Sequence, residues 1–112
     1  MTVNVYEQYF EAEHVKNEVE RRAALVMLTS DSGGGEISYK AAVTFFPHRD
    51  EEDYAVSYDD WFEKELYAGR GRRSKKREAK LLETFREEID ALIEEDGAVV
   101  FWDKPLMEER RG

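Results

Sequence analysis

With 112 residues and 17 Lys and Arg against 26 Asp and Glu, the chain is sized for one domain and carries a net charge of −9. Hydrophobic residues make up 41 % and include two Trp, six Tyr and six Phe, which is bulk enough for a small core and too apolar for a disordered chain. The absence of Cys removes disulfides and thiolate chemistry, and no apolar run approaches the ~18 residues of a membrane span. The N-terminus lacks a basic-then-apolar leader, so a cytoplasmic, soluble protein with no membrane partner is expected.

In chain order, Val3–Phe10 suits a strand that can run further, although the Ala, Glu, Lys and Arg of Glu11–Arg22 favour a helix. Ala23–Thr29 is a short apolar run, as in a strand covered on both faces, and it stops at Ser30-Asp31-Ser32-Gly33-Gly34-Gly35. Ile37, Tyr39, Ala41, Val43 and Phe45 then alternate with smaller or polar residues, which predicts a second strand of an antiparallel hairpin. Pro47 ends that strand, because a central ladder needs the amide hydrogen that Pro lacks.

After a charged loop at residues 48–53, Tyr54–Tyr58 alternates as a strand. Asp59–Ala68 predicts a short helix, with acids at its positive end, Phe62 and Leu66 four apart, and Gly69 as the stop. A long helix follows over Lys75–Glu95, capped by Ser74 and ended by Asp96-Gly97. Its apolar stripe of Leu82, Phe85, Ile89, Leu92 and Ile93 should be buried against Ile37, Tyr39, Val43 and Phe45. Ala98–Trp102 predicts a last strand before Pro105, and residues 107–112 form a charged tail outside a domain of residues 1–106. The expected fold is α+β: an antiparallel sheet of four to five strands with one long and one short helix packed on one face.

Catalysis finds little support. The two His, His14 and His48, fall in different elements, and His48-x-Asp50 lacks a further ligand at useful spacing. Asp50–Asp53 lacks the alternating ligands and the Gly of a calcium loop. Gly33-Gly34-Gly35 precedes a strand, not a helix, with no Lys-Ser/Thr after it, so it reads as a turn and not a phosphate loop. No Ser stands in a nucleophile motif, and the many carboxylates single out no acid/base pair. A non-enzyme with no cofactor and no metal is expected.

Two charged features remain. Glu83, Glu87, Asp90 and Glu94 recur one helical turn apart, ~5–6 Å between side-chain roots, nearly opposite the apolar stripe. Such a row is either a solubilising surface or an imitation of a phosphate backbone that binds a basic protein surface. Asp50, Glu51, Glu52, Asp53, Asp59 and Asp60 enlarge it if the fold brings them together. The second feature is residues 70–80, with seven basic residues and one acid, a local +6 that leaves −15 on the rest of the chain. Arg70, Arg72, Arg73, Lys75, Lys76 and Arg77 either grip phosphates of a nucleic acid or form a solvated linker that offsets nearby acids. The −15 elsewhere repels a polyanion, so any nucleic-acid binding should be weak and non-specific. Exposed strands at a sheet edge allow a homodimer as well as a monomer.

In size, acidity, lack of Cys and α+β layout, the stretch Arg22–Leu106 resembles the small proteins of bacterial conjugative elements and prophages. It is also similar in style to anti-CRISPR inhibitors, some of which occupy the DNA- or PAM-reading site of a Cas nuclease. The resemblance implies a non-catalytic inhibitor of a nucleic-acid-binding protein. It rests on no shared motif and therefore assigns a role to no residue.

Overall fold

Alternation of inward and outward side chains builds most of this molecule. The computed structural model describes residues 1–16, 18–46 and 61–106. They form β1 (Thr2–Lys16), β2 (Val19–Gly33), β3 (Glu36–Phe46), β4 (Trp61–Arg70), α1 (Lys75–Glu83), α2 (Phe85–Ile93), a 3-10 turn (Glu94–Asp96) and β5 (Val99–Leu106). The five strands make one antiparallel sheet in the order β4-β3-β2-β1-β5. The chain meanders through four strands, then α1 and α2 carry it back over one face to the opposite edge. This is the α+β architecture expected, richer in strand and with two short helices in place of a long and a short one.

The β2–β3 hairpin is as predicted. It pairs without a break from Ala23↔Phe46 to Gly33↔Glu36. Gly34 and Gly35 turn the corner at φ +62° and +81°, the left-handed conformations that a tight hairpin turn demands. No helix forms over Glu11–Arg22. β1 continues to Lys16, Lys16 pairs with Val19, and Glu18 between them takes φ +66°. The reason is visible in the burial: Phe10, Ala12 and His14 are buried while Glu11, Glu13 and Val15 face out, a period of two that overrides helix propensity.

The predicted helix at Asp59–Ala68 is instead β4 over its described part, paired to β3 from Thr44↔Trp61 to Glu36↔Arg70. A spacing of four, as between Phe62 and Leu66, fits a strand face as well as a helix face. The register slips between Tyr39↔Tyr67 and Lys40↔Glu65, so Leu66 is the extra residue of a bulge, and both Leu66 and Tyr67 pack on the core. Tyr54–Tyr58, the charged loop and the tail lie outside the described residues. β5 does not end before Pro105 but runs through it, opposite Phe10. An edge strand tolerates Pro where its missing N–H would face away from the ladder.

The predicted long helix is broken at Thr84, which has φ −111° and ψ 7° and both closes α1 and opens α2. The Thr84 N–H donates to the Leu81 carbonyl at 3.3 Å, a tightened last turn, and its own carbonyl accepts from the Glu88 N–H at 3.0 Å. The core lies between the helices and the sheet. Phe85, Ile89 and Ile93 are buried with Ile37, Tyr39, Val43 and Phe45, as the apolar stripe predicts, while Leu82 and Leu92 are partly buried at its margin. His14 belongs to this core too, its ring 4.9 Å from Phe45 and 5.9 Å from Phe62.

Candidate functional site

The break at Thr84 divides the acidic row. Glu83 stays with α1, whereas Glu87 and Asp90 lie on α2 and Glu94 on the turn that follows. Those three line a groove of about 620 Å³ between α2 and the start of β5. Ala91, Ala98 and Val100 supply its apolar lining, Gly97 and Val99 complete it, and no Lys or Arg among the described residues lines it. Gly97, at φ +70°, caps the 3-10 turn and sends the chain straight from the acidic wall into β5. Asp90 is also tied down: its Oδ1 accepts from the Trp102 indole N–H at 3.0 Å, and the Arg86 guanidinium lies 5.4 Å from the Trp102 ring. Glu88, one residue from Glu87, points instead to the sheet and pairs with Lys64 at 2.8 Å. Asp50, Glu51, Glu52, Asp53, Asp59 and Asp60 lie outside the described residues, so the groove stands on Glu87, Asp90 and Glu94.

The basic run is not one surface. Arg73 donates from Nε to Glu78 Oε2 at 2.8 Å and from Nη2 to Glu78 Oε1 at 3.1 Å, a bidentate pair. Tyr39 donates its hydroxyl to the same carboxylate at 2.9 Å and accepts from the Ser74 N–H at 3.3 Å. Ser74 in turn caps α1, its Oγ accepting from the Arg77 N–H at 3.2 Å. Arg77 stacks its guanidinium 3.9 Å from the centre of the Tyr67 ring. The Gly71 N–H donates to the Gly35 carbonyl at 2.9 Å, fastening the run to the tip of the β2–β3 hairpin. Arg70, Arg72, Lys75 and Lys76 are exposed and join no ion pair among the described residues.

Glu78 is the buried acid of this segment, 6 % exposed in the first turn of α1 within a stretch whose other charged residues are all cations. The hydrogen bonds from Arg73 hold its carboxyl below the usual value, outweighing the burial that pushes it up. The Tyr39 hydroxyl is raised, first by burial and then by the neighbouring Glu78. One signal in the sequence pointed here: Glu78 is the only acid in residues 70–80 and falls in the first turn after the Ser74 cap, where an acid suits the helix dipole. Its partner Tyr39 left no such signal.

Among the described residues, no cluster of three or more His, Asp or Glu is placed to hold a metal ion, and no helix is long and apolar enough to cross a membrane. No family model, curated protein or solved structure matches this chain.

Proposed function

We propose that this protein is a non-catalytic interaction module that binds a basic protein surface through the acidic groove between α2 and β5. The observation that carries this reading is the groove itself: three carboxylates, Glu87, Asp90 and Glu94, over an apolar lining with no cation among its described residues. At 1.5 Å per residue the row spans about 10 Å, the length of about three phosphates on one strand of a duplex. The partner that fits such a row is the basic face of a nucleic-acid-binding protein. An inhibitor carried by a mobile element, which the resemblance implies, would act by occupying that face.

Replacing Glu87 by Gln, Asp90 by Asn and Glu94 by Gln together should weaken partner binding roughly 3- to 150-fold, at ~0.2–1 kcal/mol for each of three charge pairs. Asn at position 90 keeps an oxygen for the Trp102 N–H, so the fold is retained. In a pull-down from a bacterial lysate, a basic protein held by the wild type should be lost with the triple variant, kept with Glu83→Gln, and released by added salt. Identical retained proteins for wild type and triple variant would refute the reading.

A second reading uses the opposite charge. Arg70, Arg72, Lys75 and Lys76 remain exposed around Gly71, and four cations can contact phosphates weakly. Because Arg73 and Arg77 are engaged internally, the expected salt dependence is modest, a log–log slope near about −3 on single-stranded DNA. A gel shift at low salt that disappears with Ser at those four positions would favour this reading. No shift at high micromolar protein would eliminate it.

A further inference from the structure

β5 closes one side of the sheet, and its outer edge pairs with no other strand among the described residues. Its first two residues, Val99 and Val100, pair with Glu13 and Ala12 of β1. Hydrogen-bonded and non-hydrogen-bonded pairs alternate along an antiparallel ladder, so one of these two residues turns both its N–H and its C=O outward. Beyond Val100 the register jumps to Phe10↔Pro105, which throws Phe101–Lys104 out of the ladder, and Pro105 has no N–H to offer. The open, regular part of this edge is therefore the part that lies in the acidic groove.

The side chains on either side of that edge differ. Val100 faces the core and the helices, beside the Glu87, Asp90 and Glu94 wall. Val99 borders the same groove, but by alternation with buried Val100 its side chain turns to the other side of the sheet, across from exposed Glu13, and is 45 % exposed, one of few large apolar residues left so open among the described residues. A strand laid against β5 would alternate its side chains between these two environments. Those on the helix side would meet carboxylates, and those on the far side would meet Val99. Same-face residues of a strand recur every ~6.6–6.8 Å, so two cations two residues apart fit within the ~10 Å acidic row. A second copy of this chain is a poor occupant, because pairing β5 with β5 would bring the two acidic walls together.

From this we infer that the partner's docking element is an extended segment alternating basic and apolar residues, which adds to β5 as a sixth strand at Val99–Val100. The inference rests on the acidic-groove reading and specifies its partner: backbone hydrogen bonds supply the anchoring, and Glu87, Asp90 and Glu94 select for cations.

The test is fluorescence anisotropy with the full chain and three fluorescein-labelled heptapeptides of one composition. The first is Lys-Val-Lys-Val-Lys-Val-Lys, the second carries N-methyl groups on all of its backbone amides, and the third places the four Lys before the three Val. The alternating peptide should bind, with affinity falling as salt rises, and the other two should bind at least tenfold more weakly. Hydrogen exchange should show the outward amide of Val99 or Val100 gaining protection only with the first peptide. Equal binding of all three, weakened alike by the triple variant, would overturn strand addition and leave the acidic groove standing. Discrimination among the peptides that the triple variant does not alter would overturn the charge selection, and with it the acidic-groove reading. Binding of none of the three would overturn the inference, while the lysate experiment judges the groove independently.

Discussion

Phe85→Ala is expected to destabilise the fold by about 3–5 kcal/mol, the usual cost of a deleted core aromatic. Phe85 is 2 % exposed and joins three parts of the chain: its ring is 5.4 Å from Tyr6 of β1, 6.5 Å from Trp102 of β5, and it begins α2. Both ring pairs are edge-on, the geometry that aromatic quadrupoles favour. Truncation would leave a cavity where α2 is tied to both β1 and β5. Against a total stability of roughly 5–15 kcal/mol, that loss would be a large fraction. Urea unfolding should show a much lower midpoint with little change in slope. Phe85→Leu, which retains most of the volume, should fall between the two. A midpoint for Phe85→Ala equal to the wild type would mean that α2 does not seal this core.

Glu78→Gln is expected to remove about 1.5–3 kcal/mol at neutral pH, the range for hydrogen bonds to a charged group. The amide keeps the shape and an acceptor for Tyr39, but it loses the charge that Arg73 grips with two donors. The effect has a definite pH dependence. Because the Glu78 pKa is lowered in the folded state, the unfolded chain binds more protons there, and stability rises with pH. The contribution is fully present above the ordinary Glu value of 4.5 and is lost as pH falls through the lower, folded value. Tyr39 acts at the other end of the scale. Its raised pKa gives stability that is present below 10.0 and lost as pH rises through the folded value. Unfolding curves at pH 7, 5, 4 and 3 check the acid arm: the gap between wild type and Glu78→Gln should hold from pH 7 to 5 and narrow only below the ordinary Glu value of 4.5. A gap unchanged down to pH 3 would show that the carboxylate's charge contributes nothing.

These two residues differ in how legible they were. Phe85 stands in a clear stripe with Ile89 and Ile93, so its burial followed from helical periodicity alone. The role of Glu78 depends on Tyr39, 39 residues earlier in the chain, whose own alternation announced a core residue but not a hydroxyl aimed at α1. The acidic row had an intermediate status. Its residues share a helical pitch in sequence, yet Thr84 separates Glu83 from the rest, and Asp90 is half committed to Trp102.

What the sequence determined by itself is local. The β2–β3 hairpin follows from an apolar run, a Gly-rich turn and a period of two; the start of α1 follows from Ser74, and the end of the helical region from Gly97. Each needs only a few neighbouring residues, because turn conformations and capping bonds are satisfied within one or two turns of chain. Only the tertiary structure decided that β1 runs to Lys16, that Trp61–Arg70 is a strand, and which charges are free. A spacing of four fits both periods, and helix propensity at Glu11–Arg22 yields once β2 supplies a ladder of partners. Whether a cation is available to a ligand depends on what lies across from it in space. Folding assigned Arg73 to Glu78 and Arg77 to Tyr67, and it placed Glu87, Asp90 and Glu94 beside the open edge of a strand that begins only after the helix ends.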